Sequence, residues 1–165
     1  TPYALEKYAG EEYCRIAAQA WGLSTVCLRY FNVYGPRAAQ EGAYVNVIPI
    51  FLRKRAKDEP LTITGKGTNS RDYIYIDDVA RANLLAMDSR KLVAGEVINI
   101  GSGIAISVKD IAKHIGGPTT YIPARIEQTH AQADISKARK LLNWKPELKF
   151  SEGLRRTRDW FDNLQ

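Results

Sequence analysis

Tyr3 and Lys7 stand four residues apart in the opening stretch "TPYALEKYAG". Helical spacing of that kind puts both side chains on one face. A phenol with a pKa of about 10 is a poor base at neutral pH. A neighbouring ammonium stabilises the phenolate and lowers that pKa. The tuned pair can then pass a proton to or from a hydroxyl while a nicotinamide takes or returns hydride. With nine tyrosines in the chain, a surface helix pair of the same spacing is the plain alternative.

Three further positions have chemical potential. Asn32 in "LRYFNVYGPR" follows an apolar strand, with Tyr30 and Phe31 just before it. Ligands of open α/β sheets bind at the carboxyl ends of strands; a core strand and a tight turn would read the same way. Arg71 follows the Gly-rich "TGKGTNS". A guanidinium there can grip a phosphate bidentately, or simply pair with a carboxylate such as Asp72. Arg125 follows Pro123 and a short strand, as a second phosphate clamp or a solvated loop charge. The Gly-rich stretch is not a P-loop, and "GSG" at 101–103 lacks the third glycine of a dinucleotide fingerprint. It reads as a strand-ending turn. His114 and His130 are the only histidines, too few and too separated for a metal site, so none is expected.

The elements that must position these residues follow from periodicity and breakers. A helix over 3–21 ends at Gly22. The β-branched and aromatic stretch 24–31 is a strand, which "NVYGPR" breaks. A helix over 45–59 carries Pro49 near its start, where a missing N–H costs little. Strands at 61–64 and 71–76 flank the Gly-rich turn. A helix over 77–87 has Asp77 as its N-cap. A strand at 96–100 precedes a capping box, Ser107 and Asp110, and the helix "VKDIAKHIG". Helices at 134–144 and 151–164 close the chain. Strands alternating with helices define the α/β class.

The chain has 165 residues, 45% hydrophobic and 25% charged, with a formal charge of +6. That is globular composition with one domain's worth of core. No apolar run is long enough to span a bilayer, and no signal peptide is visible. The basic excess suits an anionic ligand. Its Lys and Arg residues are scattered without an aromatic platform, so no nucleic-acid partner is expected. Cys14 and Cys27 form no CxxC motif and read as buried free thiols of a reducing cytoplasm.

Taken in order, "TPYALEKYAGEEYC", "LRYFNVYGPR", "GAYVNVIP", "RDYIYIDDVARA", "VINIGSG" and "ADISKARKLLNWKP" resemble the C-terminal half of the NAD-dependent nucleotide-sugar epimerase/dehydratases. These are extended short-chain dehydrogenase/reductases. The resemblance covers essentially the whole chain, and "RYFNVYGPR" is most similar to the UDP-glucose 4-epimerases, with dehydratases and decarboxylases sharing much of the pattern. It implies the C-terminal part of a Rossmann-type doubly wound parallel sheet plus a small α/β substrate-binding domain. Segments 1–35 and about 95–103 would belong to the sheet and the remainder to the nucleotide-sugar part. It implies Tyr3 as the acid/base and Lys7 as its partner, both against NAD, with Tyr30 and Phe31 beside the nicotinamide. Asn32, Asn46 and the Val47 backbone would meet the sugar diphosphate. Arg71 and Arg125 would clamp the pyrophosphate, and the Thr62 backbone would meet uracil. Hydride would leave C4 of a UDP-hexose and return to its other face.

Three departures temper that expectation. The family's Gly-rich fingerprint and catalytic Ser or Thr should lie upstream of Thr1, so this chain is expected to bind NAD poorly and not to turn over alone. The family's Arg-x-Gly-Asp/Glu is here Arg125-Ile126-Glu127. Thr64 stands where an aromatic residue often stacks on the base. The alternative is a non-catalytic module, pairing with a second copy through the helices of 3–21 and 45–57. A cytoplasmic location and a homodimer are expected.

Overall fold

A computed structural model describes residues 1–39, 42, 45–89 and 92–163. Ala43 and Tyr44 of "GAYVNVIP", and Leu164 of the last expected helix, lie outside them. Helix α1 (Pro2–Trp21) opens with the Thr1 hydroxyl accepting from the Ala4 N–H at 3.2 Å and stops at Gly22, which takes φ 66°. That left-handed turn is the conformation in which glycine carries no Cβ penalty. Strand β1 (Val26–Tyr30) follows. One residue later comes a second strand, β2 (Asn32–Tyr34), where the sequence predicted only a break. The remaining elements are α2 (Val47–Ala56), β3 (Leu61–Thr64), β4 (Ser70–Tyr75), α3 (Ile76–Asp88), β5 (Glu96–Ile100), β6 (Ala105–Ser107), α4 (Val108–Ile115), β7 (Thr119–Ile122), β8 (His130–Ala131), α5 (Ser136–Leu142) and α6 (Phe150–Asp162).

The class is α/β, with three small sheets among the described residues. β1 pairs in parallel with β5, Val26 opposite Glu96 and Tyr30 opposite Ile100. β2 and β8 pair in parallel with β4, and β6 pairs antiparallel with it. β3 pairs in parallel with β7. The short β6 and β8 have no periodic pattern of their own. They exist because both dock on the first residues of β4, so tertiary pairing rather than propensity makes them strands.

β4 is the wall between two cores. Its Tyr73 and Tyr75 face a cluster with Tyr34, Phe51, Ile63, Ile111 and Phe161. Its Ile74 faces the other, with Val79, Ile98, Ile100 and Trp144. This is the two-residue alternation of a strand buried on both sides. Burial pushes the Tyr73 phenol up to about 12, and the Tyr34 phenol higher still.

Two expectations are corrected. The helix expected over 45–59 buries Ile48, Pro49, Phe51 and Leu52 in the first core, so its apolar face is not free to bind a second copy. Asp77 is not the cap of α3. β4 runs directly into that helix, Tyr75 takes the cap position without a side-chain bond, and Asp77 already lies in the first turn. The next residue, Asp78, has the structural task. Its buried carboxylate accepts from Arg81 at 2.6 Å and from the Glu147 and Leu148 N–H groups, while its carbonyl accepts from Trp144 Nε1 at 3.0 Å. The Ser107–Asp110 capping box is present, the Ser107 hydroxyl accepting from the Asp110 N–H at 3.1 Å.

Candidate active site

Two contacts set the direction of α1 against β1. The Thr25 hydroxyl donates to the Cys14 carbonyl at 3.1 Å. Arg29 grips the Glu11 carboxylate through Nε and Nη2, both at 2.6 Å. Moving up β1 therefore means moving down α1, and the helix runs opposite to the strand. At 1.5 Å per residue, Lys7 stands about 6 Å and Tyr3 about 12 Å beyond Glu11 along the helix axis. Both lie past the carboxyl end of β1, where Phe31 and Asn32 leave the strand. Lys7 Nζ sits 5.4 Å from the centroid of the Tyr3 ring, close enough for cation–π attraction. Tyr3 is half exposed.

The residues at that strand end are individually fixed. The Tyr30 hydroxyl donates to Asn83 Oδ1 at 2.8 Å, and Asn83 in turn donates to the Val79 carbonyl. The Phe31 N–H donates to the Ile100 carbonyl at 3.0 Å, extending the β1–β5 pairing, and its ring packs on the second core. Asn32 begins β2 and donates through Nδ2 to the Asp72 carbonyl at 2.8 Å. Asn46 caps α2: its Oδ1 accepts from the Ile48 N–H and its Nδ2 donates to the Val33 carbonyl. Val47, in the first turn of α2, packs against the first core.

Arg71 does not pair with Asp72. Adjacent strand residues point to opposite faces, and Arg71 Nη2 lies 3.5 Å from Glu127 while Nη1 donates to the Ser70 carbonyl. That contact brings the loop carrying the exposed Arg125 to the start of β4. Thr62 belongs to the β3–β7 sheet, where its hydroxyl accepts from Lys54 Nζ at 2.5 Å. Leu61 N–H donates to Pro118 and Gly65 N–H to Ile122 across that parallel ladder. The N–H and C=O of Thr62 and Thr64 therefore point away from β7.

The Asp72 side chain, considered from the sequence only as a partner for Arg71, has a role that no local motif signals. Fully buried, its carboxylate accepts from the Ser102 N–H and hydroxyl at 2.7 Å each, the Gly103 N–H at 2.8 Å and the Ala133 N–H at 3.1 Å. The "GSG" turn thus wraps a carboxylate of the chain itself, as successive N–H groups wrap an anion. Gly101 is required there, because a Cβ would lie 2.9 Å from Asp72 Oδ2. Among the described residues, no group of three or more His, Cys, Asp or Glu is placed to hold a metal. No described helix is long and apolar enough to cross a membrane.

Fold and site together define an α/β protein with a Tyr/Lys pair beyond the carboxyl end of a parallel strand and a paired Arg nearer the start of β4. Comparison with known proteins identifies the class. Residues 1–101 match the model of the NAD dependent epimerase/dehydratase family, and the chain belongs to that family. A putative UDP-glucose 4-epimerase of Methanocaldococcus jannaschii is 41% identical over 170 residues, covering 99% of this chain and 54% of the relative. The Thermotoga maritima UDP-glucose 4-epimerase, solved with UDP-glucose, superposes with a TM-score of 0.90 at 37% identity, covering 99% of this chain and 54% of that one. The Bacillus cereus UDP-glucuronic acid 4-epimerase, solved with UDP-glucuronic acid and NAD, has a TM-score of 0.90 at 34% identity, covering 100% and 54%. The chain spans about half the length of the relatives it matches.

Proposed function

We propose that this chain is the substrate-binding half of an NAD-dependent nucleotide-sugar 4-epimerase acting on a UDP-hexose. The observation that carries the reading is the opposed run of α1 and β1, set by Arg29–Glu11 and Thr25–Cys14. It supports reading Tyr3 and Lys7 as ligand-facing, because α/β sheets bind ligands beyond the carboxyl ends of their strands. Segments 1–35 and about 95–103 belong to the Rossmann-type sheet in this reading, and the remainder holds the nucleotide sugar. Tyr3 and Lys7 offer a nicotinamide an ammonium against a phenol ring, and in this reading Tyr30 and Phe31 lie beside it. Bound NAD supplies a hydride acceptor and donor.

The chain's own groups do the rest. Tyr3 takes the proton of the sugar's C4 hydroxyl and gives it back, and Lys7 stands over the Tyr3 ring and orients it. Arg71 and Arg125 hold the diphosphate, Arg71 exchanging its loose 3.5 Å contact with Glu127 for phosphate oxygens. Asn32, Asn46 and the Val47 backbone lie on the sugar side, with the outward-facing backbone of Thr62 toward uracil. A firmly held diphosphate leaves the sugar free to turn and present its other face. A cytoplasmic location and pairing of two copies are part of the same reading, with Leu5, Tyr13 and Trp21 of α1 exposed.

Calorimetry with UDP and UDP-glucose tests it. Both should bind, NAD alone should not bind tightly, and Arg71→Ala should weaken UDP roughly 10- to 100-fold, the worth of a charge-assisted hydrogen bond. Absence of heat with both ligands overturns the reading.

A further inference from the structure

The same two contacts that orient α1 also bracket its cysteine. Thr25, Cys27 and Arg29 alternate onto one face of β1, and Glu11 and Cys14 lie one turn apart on α1. Thr25 meets the backbone of Cys14 and Arg29 meets the side chain of Glu11. Cys27 is held midway between them. The Cα–Cβ bond of a helical residue tilts toward the helix N-terminus. From a carbonyl level with Thr25, the Cys14 side chain therefore leans toward Arg29, and so toward Cys27. The Cys27 side chain thus faces Cys14 across the seam between α1 and β1. Both thiols are free and half-buried.

We propose that Cys14 and Cys27 are a dithiol modification site that closes to an intramolecular disulfide, joining α1 to β1, in exchange with a small disulfide such as oxidised glutathione. The inference stands independently of the epimerase reading. In the first step the Cys14 thiolate attacks one sulfur of the glutathione disulfide. That S–S bond breaks, a mixed disulfide forms on Cys14, and one glutathione leaves as thiolate. In the second, Cys27 loses its proton and attacks Cys14 Sγ, expelling the second glutathione. Two protein thiols are oxidised and one glutathione disulfide is reduced to two thiols. Burial, then the neighbouring Cys14, pushes the Cys27 thiol up to about 11, with Glu11 adding to the rise and Arg29 opposing it. Only thiolates attack disulfides, and the raised Cys27 thiol is the poorer opener, so the resolving step is assigned to it.

The test is incubation of the 165-residue protein with oxidised glutathione, then tryptic mapping without reduction. The expected product is two hydrogens lighter than the starting protein and joins peptide 8–15 to peptide 16–29. Cys27→Ser should stop at a stable glutathione adduct on Cys14, and Cys14→Ser should leave Cys27 unmodified. Separate adducts on both cysteines of the unsubstituted protein, disulfide-linked pairs of chains, or no reaction would each overturn the proposal.

Discussion

Replacing Asp72 with Asn changes one atom in a side chain that is fully buried, and it should be among the most damaging substitutions in the chain. The carboxylate accepts from the Ser102 N–H and hydroxyl on Oδ1, and from the Gly103 and Ala133 N–H groups on Oδ2. An amide has one acceptor oxygen, and its NH2 would face two donors whichever way it is turned. If its oxygen faces Ser102, the Gly103 and Ala133 N–H groups are left without a partner. If it faces those two, Ser102 can rotate its hydroxyl to accept, but its N–H cannot. In that cheaper orientation one bond to a charged group, worth about 1.5–3 kcal/mol, is lost, and the two bonds kept on a neutral oxygen each weaken by about 1–1.5 kcal/mol, so the change costs about 3–6 kcal/mol. That is a large part of a typical total of about 5–15 kcal/mol.

Urea unfolding followed by Trp fluorescence measures this. With a slope of about 2 kcal/mol/M, the midpoint should fall by about 1.5–3 M. Ser102→Ala, which removes the hydroxyl donor to Asp72 and the acceptor of the exposed Ile104 N–H, should cost about 1–2 kcal/mol. Arg125→Gln, on an exposed loop, should stay within about 0.5 kcal/mol. A midpoint for Asp72→Asn within about 0.5 M of the parent would refute the reasoning. It would mean that the turn at 101–103 reorganises around an amide at little cost.

Gly153→Ala should destabilise although it lies within a helix, where Ala is ordinarily better by about 1 kcal/mol. The added Cβ would meet the Tyr34 hydroxyl and lie 3.0 Å from both Tyr34 Cζ and Tyr75 Cδ2, so overpacking of about 1–3 kcal/mol decides the sign in a thermal melt. Trp144→Ala should cost about 3–5 kcal/mol by the same assay, because the ring is fully buried and its Nε1 donates to the Asp78 carbonyl. Alkaline pH should unfold the protein in a defined window. Tyr73 keeps its proton until about 12 when folded and releases it at about 10 when unfolded. Its contribution is whole below pH 10 and is lost as the pH rises toward 12, up to about 2–3 kcal/mol, and Tyr73→Phe should remove that share of the pH dependence in urea titrations.

How far the sequence carried depended on whether a residue's partners are local. The stop at Gly22 and the Ser107–Asp110 cap were legible, because each is fixed within a few residues of itself. The Tyr3–Lys7 pair was legible for the same reason: four residues on a helix suffice to bring the two side chains together. β2, β6 and β8 were not, since those strands owe their existence to pairing with β4. Asp72 illustrates the limit. Its neighbour in sequence, Arg71, was the natural partner to consider, yet strand alternation turns the two apart and each finds its bonds 30 to 60 residues away.

That alternation is also what joins the proposed binding residues into one arrangement. Asn32 donates to the Asp72 carbonyl, the Asp72 carboxylate holds the turn after β5 and the segment after β8, and Arg71 reaches from the next position to Glu127. One buried aspartate thus links the strand end near the Tyr/Lys pair to the loop of Arg125. In binding experiments, Asp72→Asn should therefore weaken UDP even though Asp72 itself faces away from Arg71. Restoring stability with a compensating substitution elsewhere should not restore affinity. Recovery of UDP affinity in step with the melting temperature would instead mean that Asp72 acts on the ligand only through global stability, and that Arg71 and Arg125 are positioned without it.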